Sequence, residues 1–81
     1  MDNCKEVNRI SGVDIENYLM VDEKNELVSR IHSLKECKKV EAIPYLKKYI
    51  DDVRVTHILM YKGMTIGKVT KGVIEKLKQS K

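Results

Sequence analysis

The chain has no tryptophan and no phenylalanine, and it holds one proline and two cysteines in 81 residues. Without the two largest apolar aromatics, a core must be built from Ile, Leu, Val, Met and four tyrosines. No apolar run approaches the roughly 20 residues that a membrane span needs, and no stretch resembles a secretory signal. Cys4 and Cys37 are too few for a disulfide framework and do not form a Cys-x-x-Cys pair. They are expected to be reduced thiols of an intracellular protein, Cys4 incidental and Cys37 packed near a helix end. No internal repeat or low-complexity segment occurs. A single domain of this length buries only about 60 to 65% of its unfolded surface, so its stability is marginal.

Acidic residues become scarce towards the C-terminus. Residues 1–40 carry seven Lys/Arg and eight Asp/Glu, whereas residues 41–81 carry nine and four. From Val53 onward Glu75 is the only acid against seven bases, including Lys62, Lys68, Lys71, Lys76, Lys78 and Lys81. Such asymmetry suits either a solvated lysine face or an anionic partner.

Residues 1–10 show little periodicity and are expected to be disordered, leaving one domain over residues 11–81. A short helix opens near Ser11, with Ile15, Tyr18 and Leu19 on one face and Asp14 as a weak capping-box partner. The clearest helix follows, with Leu27, Ile31 and Leu34 at helical spacing, Val28 beside them, and Asp22 as candidate N-cap. A third stripe, Val40, Ile43, Leu46 and Ile50, requires Pro44 in the first turn of its helix. Leu27, Ile31, Leu34, Ile43, Leu46 and Ile50 are the expected core.

The stretch VTHILMYKGMTIGKVTKGVIEKLKQ, residues 55–79, supports two architectures. Val53, Val55, Thr56, Ile58, Tyr61, Thr65, Ile66 and Val69 favour strands, and Lys62-Gly63 could turn a hairpin. Against this, Ile58, Leu59 and Met60 are consecutive rather than alternating, and Lys-Gly is a weak turn signal. Alternatively, Val55, Ile58, Leu59 and Lys62 fit a short helix stopped by Gly63. A second helix would then run from about Thr65 to Gln79 on Ile66, Val69 or Thr70, Val73, Ile74 and Leu77. Gly67 and Gly72 would each weaken it by about 1 kcal/mol relative to Ala. The expected fold is mainly α, a small bundle of four to five short helices. The alternative is α-α-β-β-α with a hairpin over residues 53–70.

The segment VRVTHILMYKGMTIGKVTKGV resembles the N-terminal domain family of transcription elongation factor S-II. Similar modules occur in elongin A, a Mediator subunit and the integrase-binding domain of the lens-epithelium-derived growth factor protein. Val55-Thr56 corresponds to the family's "VT", Ile66-Gly67-Lys68 to its "IGK", and Val73 to a downstream leucine. The Thr56–Ile66 spacing is one residue longer than in the family, and Thr70 stands at a valine position. The family's last helix, usually bearing a Trp, has no counterpart. The resemblance implies a helical module that docks a transcription-related partner in the nucleus.

Catalytic chemistry finds no constellation. His32 and Cys37 are five apart and do not share a helix face, and no zinc spacing is present. GMTIGKVT has three residues between its glycines where a phosphate loop has four, and Val69 stands where Ser or Thr should be. No enzyme activity, cofactor or metal is expected. Met60 and Met64 flank Gly63 and could line an adaptable apolar surface. The expected function is docking of an acidic-hydrophobic, disordered protein segment, with His57, Met60, Lys62, Met64, Ile66, Lys68 and Lys71 as the partner-binding residues. The alternative is a small basic nucleic-acid-binding or phage-type regulatory protein, its lysines contacting phosphates.

Overall fold

A computed structural model describes residues 4–79. Met1–Asn3 of the N-terminal segment, and Lys81 of the lysine set, lie outside the described residues. The described chain forms five α-helices: α1 (Lys5–Arg9), α2 (Val13–Leu19), α3 (Lys24–Glu36), α4 (Ile43–Leu46) and α5 (Ile66–Gln79). Single 3-10 turns precede and follow α4 at Val40–Ala42 and Lys47–Tyr49, and a third lies at Leu59–Tyr61. The mainly helical bundle is therefore observed, and no β-strand is present among the described residues.

Helix α3 buries the stripe that its spacing predicts, Leu27, Val28, Ile31 and Leu34. Its N-cap is Glu23 rather than Asp22: the Glu23 carboxylate accepts hydrogen bonds from the backbone N–H groups of Asn25 (3.2 Å) and Glu26 (2.9 Å). Capping of this kind satisfies donors that the first helical turn leaves open. At the other end Lys39 N–H donates to Leu34 O and Lys38 N–H to Lys35 O, both at 3.0 Å. This is the Schellman arrangement, with Lys38 in the left-handed position at φ 55°.

Helix α2 begins after Gly12 without a side-chain cap, so Ser11 does not play the expected role. Its C-terminal carbonyls are served from elsewhere in the fold. Arg30 Nη1 donates to Tyr18 O at 2.8 Å, and the Tyr49 hydroxyl donates to Leu19 O at 3.2 Å. These bonds fasten α2 to α3 and to the turn after α4. Pro44 sits in the first turn of α4, as required. Leu46 is fully buried, whereas Ile43 and Ile50 only flank the core. The core expectation is too generous for these two because the helical run from Val40 to Tyr49 mixes 3-10 and α turns, so one stripe cannot stay in phase along it.

Helix α5 packs along α3 and against the α4 run, burying Ile66, Gly67, Val69, Thr70, Val73, Ile74 and Leu77. The Thr70 hydroxyl donates to Ile66 O at 2.8 Å, so its burial leaves no polar atom unpaired. Gly67 explains itself by distance. A Cβ there would stand 2.4 Å from Ile50 O and 2.9 Å from Asp52 O, so the start of α5 rests directly on the backbone of the 50–52 turn.

Two expectations need correction. Cys4 and Cys37 form a disulfide, so they are not free thiols. Spacing of 33 residues gave no sign of this, because pairing depends on α1 returning to the C-terminal end of α3. The stretch expected to be disordered accordingly contains α1, whose Val7 is buried in the core. The second correction concerns residues 53–63. No α-helix forms between Val55 and Lys62. The chain is extended, makes the 3-10 turn, and reverses at Gly63, whose φ of 84° is easily adopted only by glycine. One isolated antiparallel bridge, Val55 to Thr65, is all that exists of the hairpin. The ladder stops there because Ile66 already begins α5.

Candidate functional site: a lysine-rimmed groove between α3 and α5

The 3-10 turn delivers Tyr61 to the face of α3. There its hydroxyl lies 2.7 Å from His32 Nδ1 and 3.3 Å from Lys35 Nζ. Lys35 can only donate, so the Tyr61 oxygen accepts from it, and the hydroxyl pairs with His32 Nδ1 in the sense that the ring tautomer sets. Burial, and then the Lys35 charge, hold the His32 pKa below its usual value, in keeping with a neutral ring. The two rings meet edge to face with centroids 5.6 Å apart. Lys35 Nζ lies 5.9 Å from the Tyr61 centroid but much nearer the hydroxyl. It therefore approaches the ring from its oxygen end, where the contact is a hydrogen bond rather than a cation over a π face.

This turn closes one side of a groove of about 200 Å³ between α3 and α5. Met64, Val69 and Val73 give it an apolar floor, and Lys35, Lys68 and Lys76 stand around it with Tyr61. Gly72 also lines it, and a Cβ there would meet nothing within 4 Å, so the groove is open above this position. The nearest carboxylate to Lys35 is Glu36 at 3.9 Å, with Glu36 largely exposed. A pair so long and so well solvated neutralises little.

The predicted partner-binding residues are divided by the fold. Met64 and Lys68 line the groove. Ile66 is fully buried and belongs to the core, so it offers no contact surface. Lys71 faces a separate depression with Lys47, Ile50, Ile74, Glu75 and Lys78. His57, Met60 and Lys62 are exposed along the preceding stretch, outside the groove. The backbone N–H of His57 donates to Asn25 Oδ1 at 3.2 Å, and the Thr56 hydroxyl lies 3.5 Å from the same oxygen. Asn25 thus ties this stretch to the start of α3.

Sequence reasoning missed Lys35, Tyr61, Val69, Gly72, Val73 and Lys76 as groove residues. The α5 members were legible as neighbours of the buried stripe. Lys35 was not, because only the α3–α5 packing brings it to Lys68. Among the described residues no group of three or more His, Cys, Asp or Glu side chains is placed to hold a metal ion. No helix of the described residues is long and apolar enough to cross a membrane. No family model, no curated protein and no solved structure matches the chain.

Proposed function

We propose that this domain is a non-enzymatic docking module that receives a short acidic-hydrophobic segment of a partner protein in the α3–α5 groove. The observation that carries this reading is the combination of an apolar floor with three lysines around it. At about 200 Å³ the groove is smaller than the roughly 300–1,000 Å³ typical of small-molecule sites. It suits one bulky apolar side chain, with flanking carboxylates reaching Lys35, Lys68 and Lys76. A disordered segment would order on binding, with micromolar affinity that weakens in salt. The resemblance to the elongation-factor module family would make the partner transcription-related and the setting nuclear. The Cys4–Cys37 disulfide bears against a reducing compartment, so the partner is defined here by its chemistry.

Gly72→Leu provides the test. It adds a side chain at a groove-lining position whose Cβ would meet nothing within 4 Å and where leucine favours the helix. The variant should fold at least as well as the parent and lose binding of acidic peptides with a central Leu or Met, followed by heteronuclear NMR. Undiminished binding would place the functional face elsewhere. Lys47, Lys71 and Lys78, gathered across α5 around Ile50 and Ile74, support a second reading as a phosphate-contacting face. Binding to unrelated DNA or RNA that falls steeply with salt and is abolished by Lys71→Glu with Lys78→Glu would favour it over peptide docking.

A further inference from the structure

Six large hydrophobic side chains are exposed among the described residues, and four of them fall within positions 53–60. They are Val53 (81%), Val55 (41%), Leu59 (89%) and Met60 (65%). The backbone under the two valines is hydrogen-bonded on one side only. Ile66 N–H donates to Arg54 O at 2.8 Å, Thr56 N–H donates to Met64 O at 2.9 Å, and Gly63 N–H donates to Thr56 O at 3.3 Å. The Val55–Thr65 bridge is thus the widely spaced kind of antiparallel pair, in which the bonds come from the flanking residues. Within a trans peptide the N–H and C=O point opposite ways, so with Asp52 O on Gly67 N–H, Arg54 O on Ile66 N–H and Thr56 N–H on Met64 O, the Val53 N–H, the Val55 N–H and the Val55 C=O face the other side. None of those three groups bonds to another described residue.

We propose that Val53–Val55 is an open strand edge that pairs with an extended segment of a partner protein carrying the alternation apolar–acidic–apolar. Three outward backbone groups on alternate residues match another extended chain. Residues paired with Val53 and Val55 share their face of the ladder, so apolar side chains there cover the two valines. The residue opposite Arg54 shares the Arg54 face. Arg54 uses Nε and Nη2 to hold Asp52, at 3.1 and 2.7 Å, and its Nη1 bonds to no described residue. A carboxylate opposite takes that donor. Self-pairing about a two-fold through Arg54 would instead set two Asp52-bound guanidiniums opposite each other and give neither Nη1 an acceptor. This inference does not depend on the groove, which lies over α3 and α5.

The test uses the isotope-labelled protein and the capped peptide Thr-Val-Asp-Val-Thr. The peptide should shift the Val53 and Val55 amide signals and slow their hydrogen exchange. A Val-Lys-Val version should bind roughly fivefold more weakly. A version N-methylated at both valines should not bind, because those are the donors facing the edge. Val53→Lys, at a solvent-exposed position, should keep the native spectrum and lose binding. Amides of Val53 and Val55 unmoved at millimolar peptide, or equal binding of the N-methylated peptide, would overturn the proposal. So would movement of those amides with protein concentration alone, which would assign the edge to a second copy.

Discussion

Replacing Gly67 and Gly72 separately by alanine subjects the placement of α5 to a test of sign. Both glycines lie in α5, and helix propensity alone makes Gly72→Ala stabilising by about 1 kcal/mol and Gly67→Ala, at the second helical position, by no more than that. At Gly72 nothing lies within 4 Å of the added methyl, so that gain should appear almost undiminished. At Gly67 the methyl would stand 2.4 Å from Ile50 O. The obstacle is backbone, and it is held in place. Gly67 N–H donates to Asp52 O at 2.8 Å, and Asp52 N–H donates to Tyr49 O at 3.1 Å. Relief requires α5 to lift from the 50–52 turn. This costs about 1 to 3 kcal/mol of overpacking and about 1 kcal/mol for the weakened Gly67–Asp52 hydrogen bond. With the propensity gain deducted, Gly67→Ala should lose about 1 to 3 kcal/mol, a large part of the stability of so small a domain. Urea unfolding of both variants followed by far-UV circular dichroism makes the comparison. A Gly67→Ala protein as stable as the parent, or more stable than Gly72→Ala, would refute the contact between α5 and the turn.

Lys38→Gly should stabilise the fold by about 1 kcal/mol, because Lys38 occupies the left-handed position of the α3 cap; an unchanged urea midpoint would contradict that geometry. Changing Cys4 and Cys37 together to serine should cost about 4 kcal/mol from the chain entropy of a 33-residue closure, and reductant should lower the parent's midpoint towards the variant's but leave the variant unmoved. Because burial and Lys35 lower the His32 pKa, the unfolded chain binds that proton more readily. The stability involved is complete above about pH 6.5 and is lost as pH falls through the folded-state value. His32→Gln should therefore flatten the dependence of the unfolding midpoint between about pH 5 and 7. Leu34, fully buried in α3, should cost about 2 to 5 kcal/mol when changed to alanine.

The stripes of α3 and α5 were legible because each repeats its apolar residues through several turns, and in both the predicted residues are buried. The stretch from Val53 to Gly63 was not, because what shapes it lies outside it. Its partners are Asn25 on α3 and the residues entering α5. Local propensity saw β-branched residues and apolar spacing together, and each favoured a different regular element, whereas the chain adopts neither. The groove was half legible. Met64 and Lys68 carry the apolar and basic character that singled them out, but their counterparts Lys35 and Tyr61 come from positions 26 apart in sequence, joined only by tertiary structure. Ile66 illustrates the reverse failure. It was assigned both to a stripe and to a surface, and close packing allows only the first.

The Cys4–Cys37 bond also divides the molecule into two unequal topological parts. Residues 4 to 37 form a covalently closed ring that contains α1, α2 and α3, and the described chain after it is an open tail that carries α5. A single proteolytic cut within the ring, for example after Met20 on its exposed surface, releases no fragment until the disulfide is reduced. A cut in the exposed Val53–Met60 stretch separates α5 from the ring with no covalent link between them. Since the groove takes Lys35 from the ring and Lys68 from the tail, nicking at these two places should act differently. The first leaves both walls on one molecule, and the second lets them part.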